Sequence, residues 1–343
     1  MTDRPPHDPG LPGANRVGGA EALKVSGLQV TIGGVPAVDG VDLTVHEGET
    51  VALVGESGCG KSMTALAIMG LHPDAATITA GTITAAGMDL VGLDDRSLRD
   101  IRGNVMAMIF QEPVSSLNPL MRVGEQIVEA LQSHQQLGRK AAHDRAISML
   151  EQVGIPDPAS RFRQYPFELS GGMCQRVMIA IALICQPAVL IADEPTTALD
   201  VTIQAQILDL MRRLKNDTGA ALLLITHDMG VVADMADTVA VMYAGRVVET
   251  APVRALFRRQ YHPYTHLLLQ TIPKIDGARK HTLNTIEGTV PDLRDWPTGC
   301  RFNPRCPLAA EKCRVQAPPL ASVGGDPGHA SACWFADQVE SMA

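Results

Sequence analysis

The chain has 343 residues, enough for one large domain and a smaller one, and its 45% apolar content excludes disorder over most of its length. Its formal net charge of −8 argues against nucleic acid as the main partner. The most apolar stretch, residues 177–195, is short for a membrane span and is interrupted by Gln186 and Pro187. The first residues include no apolar secretory signal, so we expect the seven cysteines to be reduced, in the cytosol.

Taken in chain order, the segments predict an α/β protein. Residues 1–20 are rich in proline and glycine and predict a disordered tail, and alternating runs over residues 23–54 predict an antiparallel β layer. The apolar runs VALVG, VLIAD and LLLIT predict parallel strands that are covered on both faces. Helical periodicity over about residues 112–180 predicts an inserted helical subdomain. We therefore expect one domain over residues 21–260 and a small, cysteine-rich C-terminal domain over 261–343.

The segment GESGCGKS stands between a predicted strand and a predicted helix, which is the context of a phosphate-binding loop. Its glycines let backbone N–H groups surround a phosphate, and the helix N-terminus favours an anion. Lys61 can reach the β- and γ-phosphates, and the Ser62 hydroxyl can bind Mg²⁺. The predicted nucleotide-binding residues of this loop are Gly55, Glu56, Ser57, Gly58, Cys59, Gly60, Lys61 and Ser62.

Two acidic residues end the strand VLIAD, and a serine–glycine motif precedes a long apolar helix. Asp193 is the candidate Mg²⁺ ligand, and Glu194 the candidate general base that activates water for attack on the γ-phosphate. Ser170, Gly171 and Gly172 predict a second anion site at a helix N-terminus. One ATP cannot easily use both sites within one subunit, so we expect two subunits to face each other around the nucleotides.

This set of motifs resembles the ATP-binding subunit of an ABC transporter over about residues 23–260. By this resemblance GESGCGKS is the Walker A loop, AVLIADE the Walker B strand and LSGGMCQ the signature motif. The resemblance implies an ABC ATPase fold with a RecA-like parallel sheet. It also implies that Gln111 senses Mg²⁺ and water, that Asp200 lies in the D-loop at a dimer interface, and that His227 contacts the γ-phosphate.

Two positions depart from the family pattern. Ile32 stands where the family usually places an aromatic ring against adenine, so we expect apolar contact there or a ring supplied from elsewhere. Cys59 replaces the more usual serine or alanine within the Walker A loop, and we expect alkylation of Cys59 to block ATPase activity.

Longer phrases, including QEPVSSLNPLMRVGEQI, DEPTTALDVTIQAQIL and GCRFNPRCP, resemble the ATPases of oligopeptide and dipeptide importers. The resemblance implies a second ATPase subunit, expected to be a paralogue, two transmembrane permeases and an extracellular substrate-binding protein. It also implies a peripheral position on the cytoplasmic face of the membrane. Importers of nickel, glutathione or sugars share many of these sequence segments. An ABC exporter ATPase or a soluble ABC ATPase acting on DNA or ribosomes are the more distant alternatives.

Four cysteines cluster in the extension, at positions 300, 306, 313 and 333, without a C-x-x-C motif. Members of the resembled group carry a 4Fe–4S cluster here, so the resemblance implies Cys300, Cys306, Cys313 and Cys333 as its ligands. A zinc site stays open as the alternative, with His329 as a possible ligand. We expect Arg301 and Arg305 to offset the negative charge of a thiolate-bound cluster.

Overall fold

The computed structural model describes residues 19–197, 199–272, 285–326 and 328–342. Within these residues no helix combines the length and the apolar composition that crossing a bilayer requires. The strands are β1 (Glu21–Ile32), β2 (Val35–His46), β3 (Thr50–Val54), β4 (Ala76–Ala85), β5 (Met88–Asp89), β6 (Met106–Ile109), β7 (Val189–Asp193), β8 (Ala221–Thr226), β9 (Thr238–Tyr243), β10 (Arg246–Pro252), β11 (Ala321–Ser322) and β12 (Ala330–Ser331). The helices are α1 (Lys61–Ile68), α2 (Asp95–Ile101), α3 (Pro113–Ser116), α4 (Val123–Gln132), α5 (Arg139–Gln152), α6 (Pro158–Arg161), α7 (Gly171–Leu183), α8 (Val201–Thr218), α9 (Met229–Met235), α10 (Val253–Arg258), α11 (Pro263–Gln270) and α12 (Glu311–Val315).

In the described part of the chain the strands form two sheets. The four-stranded sheet is antiparallel, in the order β2-β1-β4-β5. The other runs β11-β12-β10-β9-β3-β8-β7-β6, and its members from β9 to β6 are parallel. Every residue of β3, β6, β7 and β8 is buried, which explains why their sequences are continuous apolar runs. The predicted α/β fold with an antiparallel β layer is confirmed.

The chain from α3 to α7 leaves the parallel sheet after β6 and returns to it at β7. Its helices share one apolar core that includes Ile127, Leu150 and Val177. Gly124 of α4 lies so close to Phe162 that a Cβ there would sit 2.1 Å from the ring, so only glycine permits this packing. The inserted helical subdomain that was predicted from periodicity is therefore present, with α7 carrying the signature segment at its start.

The C-terminal extension adds two strands to the edge of the parallel sheet, because β12 pairs with β10. The Glu249 carboxylate of β10 is fully buried and accepts hydrogen bonds from the backbone N–H groups of Tyr261 and His262. It also lies 2.8 Å from Nε2 of His329, another fully buried side chain. A buried polar group that loses its hydrogen-bond partner costs about 1–3 kcal/mol, so this network fixes the start of the extension against β10.

Phe302 and Tyr264 of the extension share an apolar core with Val54 of β3 and Tyr243 of β9. The rings of Tyr243 and Phe302 meet edge to face with their centroids 5.1 Å apart. We expected a small, cysteine-rich C-terminal domain over residues 261–343; its described part adds strands to the sheet and side chains to the core of the preceding domain. This pairing is hard to see in the sequence because β11 and β12 have only two residues each, and β12 lies about 80 residues after its partner β10.

Candidate active site

The predicted phosphate-binding loop connects β3 to α1 and approaches strand β9 closely. Gly55 has φ +152°, and a Cβ at that position would lie 2.2 Å from the Met242 carbonyl oxygen. The side chain of Lys61 is buried, and its Nζ donates to the carbonyl oxygens of Gly55 at 2.7 Å and Glu56 at 3.0 Å. The loop thus forms a closed turn, and its lysine donates to the loop's own carbonyl oxygens. To contact a β- or γ-phosphate, the role of the lysine in a phosphate-binding loop, Lys61 has to turn away from them.

Ser62 and Asp193 come together at the carboxyl ends of β3 and β7. The Ser62 hydroxyl donates to Oδ1 of Asp193 over 3.2 Å, although 131 residues separate them in sequence. Burial raises the pKa of Asp193, and the hydrogen bond from Ser62 opposes that shift. A hydroxyl and a carboxylate are the hard oxygen donors that Mg²⁺ prefers, so this pair fits the metal predicted there.

The Glu194 carboxylate is held by three side chains. Gln111 Nε2 donates to Oε2 at 3.1 Å, Thr197 Oγ1 donates to Oε2 at 2.8 Å, and His227 Nδ1 lies 3.1 Å from Oε1. Its backbone has φ +46°, a left-handed conformation that costs energy for a residue with a side chain and that recurs at functional sites. The three proposed hydrolytic residues therefore meet at one carboxylate, and Thr197 is a fourth participant that no sequence motif indicated.

The pKa of Glu194 is lowered despite its partial burial. Burial alone raises it, but hydrogen bonds from Thr197 and His227, together with the positive charges of His227 and Lys61, outweigh that effect. Glu194 is consequently ionised at neutral pH, and an ionised carboxylate can accept a proton from water.

One cavity of about 620 Å³ contains most of the predicted nucleotide-binding residues. Ligand cavities commonly occupy about 300–1,000 Å³, so its size suits a nucleotide. Ile32 and Ala37 line it, as do two residues of the extension, Leu268 and Leu293, which sequence reasoning did not identify. The rest of the lining consists of Gly55, Glu56, Ser57, Gly58, Gly60, Lys61, Ser62, Met63, Gln111, Glu194 and His227.

The signature segment and the D-loop lie outside the lining of this cavity. Ser170 caps α7 by accepting a hydrogen bond from the Met173 N–H, and Asp200 caps α8 by accepting one from the Ile203 N–H. Gly171 and Gly172 form the first turn of α7. Ala198, which precedes Asp200, lies outside the described residues. The single chain thus brings the Walker motifs, Gln111 and His227 together but does not bring the signature segment to them.

A second, much smaller cavity lies in the extension and is lined by Cys300, Cys306, Cys313 and Cys333. It measures about 10 Å³ and is otherwise mainly apolar, with Phe302, Leu308 and Phe335 in its wall. Burial raises the pKa of Cys306 to about 11 and that of Cys333 to about 12. In the ranges of the chain that the structure describes, no three His, Cys, Asp or Glu side chains are placed closely enough to hold an ion.

Three residues that were expected near the cysteines have other partners. Arg301 pairs with Asp39 and stacks over Trp296, and Arg305 pairs with Glu56 of the Walker A loop. His329 pairs with Glu249 and is absent from the wall of the cysteine cavity. The expectation that the two arginines offset a cluster's charge is wrong, because carboxylates elsewhere already neutralise them. The proposed His329 ligand is likewise directed at a carboxylate.

The parallel sheet, the Walker A loop and the carboxylates at the strand ends define a P-loop ATPase of the ABC cassette class. Residues 38–197 match the ABC transporter family, and residues 248–313 match the oligopeptide/dipeptide transporter C-terminal region. A putative peptide import ATP-binding protein of Brucella melitensis is 52% identical over 310 residues, which cover 87% of this chain and 91% of that protein. The dipeptide transport ATP-binding protein DppD of Bacillus subtilis is 50% identical over 326 residues, 93% of this chain and 96% of that protein.

Among solved structures, the dimeric post-hydrolysis state of an ATP-binding cassette bound to ADP and Pi is similar, with a TM-score of 0.61 and 28% identity. The similarity covers 68% of this chain and 99% of that one. The chain therefore belongs to the ABC transporter family, as one of its ATP-binding, ATP-hydrolysing subunits.

We predict that alkylation of Cys59 is slow at neutral pH and abolishes ATP binding once it occurs. The side chain is 1% exposed, and burial raises its pKa above the ordinary 9.0 although Lys61 opposes the shift. Since only the thiolate reacts, the rate should rise about tenfold per pH unit until that raised pKa is reached. Mass spectrometry of the Cys59 peptide gives the rate, with Cys59→Ser as the unlabelled control. Full ATPase activity at stoichiometric labelling of Cys59 would contradict the prediction.

Proposed function

We propose that this chain is the ATP-binding and ATP-hydrolysing subunit of an importer of peptides. The observation that carries the hydrolytic part is the Glu194 carboxylate, held by Gln111, Thr197 and His227 at the wall of the nucleotide-sized cavity. The peptide cargo is supported by the names of the two relatives and by the match of residues 248–313 to a region named for oligopeptide and dipeptide transporters.

In the proposed reaction Glu194 accepts a proton from the attacking water. Its lowered pKa keeps the carboxylate ionised for that step, and Gln111 and His227 orient it. Lys61 turns from the loop carbonyls to the phosphates, while Ser62, Asp193 and Gln111 would hold Mg²⁺. When bound, that ion neutralises phosphate charge and polarises the phosphoryl group.

The signature segment acts, in this proposal, on the nucleotide of a second subunit. Ser170, Gly171 and Gly172 form the N-terminus of a 13-residue helix but do not line the cavity of their own chain. Two subunits facing each other would place each signature segment opposite the partner's Walker A loop, with Asp200 close to the interface. We propose a paralogue as the second subunit.

We propose that the permeases dock on a surface beside the signature segment that includes exposed Phe167 and half-buried Tyr165. Tyr165 and Phe167 stack at 5.4 Å with an interplanar angle of 6°, and Phe167 is 72% exposed. Leu120, on the loop before α4, is 86% exposed, and Arg122 lies over the Tyr165 ring. Contiguous exposed apolar surface marks protein interfaces, and we propose that these side chains form such a patch. The subunit would then sit peripherally on the cytoplasmic face, with two permeases and an extracellular substrate-binding protein completing the importer.

We propose further that Cys300, Cys306, Cys313 and Cys333 hold a 4Fe–4S cluster, with zinc as the alternative. Four thiols facing one enclosed cavity match the ligand count of such a cluster. Binding requires the side chains to turn and spread, because the cavity of about 10 Å³ is far smaller than a cluster. It also requires the four thiols to lose their protons. Because burial raises the pKa values of Cys306 and Cys333, we expect these thiols to lose their protons only when the positive charge of the incoming metal stabilises the thiolates.

We predict that Glu194→Gln lowers kcat for ATP by about 10²–10⁴-fold, the usual contribution of a general base, and leaves ATP binding intact. Lys61→Ala, in contrast, should abolish ATP binding, because it removes the cation expected at the phosphates. Steady-state ATPase assays and equilibrium binding of Mg·ATP separate the two variants, and size-exclusion chromatography should detect an ATP-stabilised dimer of Glu194→Gln with its partner subunit. Turnover of Glu194→Gln near the wild-type rate would refute the assigned base.

Anaerobically purified protein should absorb broadly near 400 nm and contain about four irons per chain if the four cysteines hold a 4Fe–4S cluster. Cys306→Ser and Cys333→Ser should each lose most of the iron. Cys185→Ser is the matched control, because Cys185 lies in the helical subdomain, away from the cavity. Colourless protein that contains one zinc per chain would refute the cluster and support a zinc site. Metal-free protein would refute both.

A further inference from the structure

The C-terminal extension forms hydrogen bonds with the second residue of the Walker A loop, Glu56. The Glu56 carboxylate accepts two hydrogen bonds from Arg305, one from Nη1 at 2.7 Å and one from Nη2 at 3.1 Å. Its backbone N–H donates to the hydroxyl oxygen of Tyr264 at 2.8 Å. Two residues more than 200 positions downstream therefore hold the second residue of the loop by its side chain and by its backbone.

Arg305 is itself held rigidly, which makes it an effective support. Its side chain is only 6% exposed, and the guanidinium also donates from Nε to the Glu287 carbonyl oxygen at 2.8 Å. The group lies within 6 Å of the rings of Tyr243 and Phe302. A paired, bidentate arginine of this kind loses little further freedom and forms stronger bonds than a neutral donor does.

The charge of Glu56 gives Arg305 a second role. Glu56 lines the same cavity as Lys61 and Ser62, so its negative charge lies beside the space that a triphosphate is expected to enter. A carboxylate without a counter-ion there would repel an anionic ligand. Because charges in a partly buried cavity are weakly screened, this repulsion would be stronger than in water. Arg305 supplies the counter-ion, which none of the recognised nucleotide-binding motifs provides.

We propose that Arg305 and Tyr264 are positioning residues of the nucleotide site, an inference that rests on the proposed Walker A function of residues 55–62. They hold the backbone of Glu56 in place so that the loop N–H groups point into the cavity, and Arg305 cancels the Glu56 charge. The extension accordingly contributes to the ATP site: it increases the affinity for ATP but does not contact the attacking water.

The test compares Arg305→Gln, Glu56→Gln/Arg305→Gln and Tyr264→Phe in the full-length chain, with Mg·ATP as the ligand in calorimetric titrations. Arg314→Gln is the matched control, because Arg314 is an exposed arginine of the same extension. The two tryptophans of the chain, Trp296 and Trp334, both lie in the extension, so intrinsic fluorescence reports whether each variant keeps it folded.

We expect Arg305→Gln to weaken Mg·ATP binding about tenfold, since one member of a close charge pair is left unpaired. The double variant should return to within about threefold of wild type, because it removes the repelling carboxylate. Tyr264→Phe should weaken binding less, and Arg314→Gln should not change it. In the assembled transporter Arg305→Gln should raise KM for ATP and leave kcat within about twofold, the pattern of a lost binding interaction.

Wild-type affinity in both Arg305→Gln and Tyr264→Phe would overturn the inference. So would a loss in Arg305→Gln that the added Glu56→Gln change does not relieve, because a purely structural defect of the extension would behave in that way. If Arg305→Gln altered the tryptophan fluorescence, the decision would rest on Tyr264→Phe: weakened Mg·ATP binding would support the inference, and wild-type affinity would overturn it. Failure of the wild-type chain itself to bind Mg·ATP would instead refute the proposed function.

Discussion

The parallel alignment of four neighbouring strands is the constraint on which the site depends. Because β3, β6, β7 and β8 run in the same direction, their carboxyl ends meet at one edge of the sheet. The residues that follow those ends are the Walker A loop, Gln111, Glu194 and His227, which span more than 170 positions of sequence. Ligands commonly bind at this edge of open α/β sheets, and here the geometry assembles one carboxylate with its three supporting side chains.

The C-terminal extension is tied to this sheet by interactions that are expensive to break. Glu249 and His329 are fully buried partners, and Phe302 and Tyr264 pack in the core beneath β3 and β9. The same packing places Arg305 against Glu56, so the cysteine-bearing segment contacts the ATP site directly. Through this contact, a change that displaces the extension would alter the affinity for ATP.

Local sequence patterns predicted strands β1, β2, β3, β7 and β8, the Walker A loop and the carboxylates at the end of β7, because each depends on residues close together in the chain. The Thr197 hydrogen bond, the Leu268 and Leu293 walls and the Arg305–Glu56 pair could not be predicted, because they depend on how distant segments pack. Arg305 shows the limit most clearly. Its neighbour Cys306 suggested a role near the cysteines, whereas its guanidinium reaches a residue 249 positions away. The four cysteines that we expected to bind a metal cluster line one small cavity, but in the described residues no three of the possible ligands lie close enough to hold an ion.

The most direct test of the account is ATP-dependent uptake of a labelled peptide by proteoliposomes that contain this chain with its co-purifying membrane subunits, a partner ATPase and a substrate-binding protein. The account predicts uptake that requires ATP and the binding protein and that Glu194→Gln abolishes. Nickel, glutathione or a sugar should not be transported in place of the peptide. ATP hydrolysis without peptide uptake, or co-purification with no permease, would contradict the assignment as the ATPase of a peptide importer.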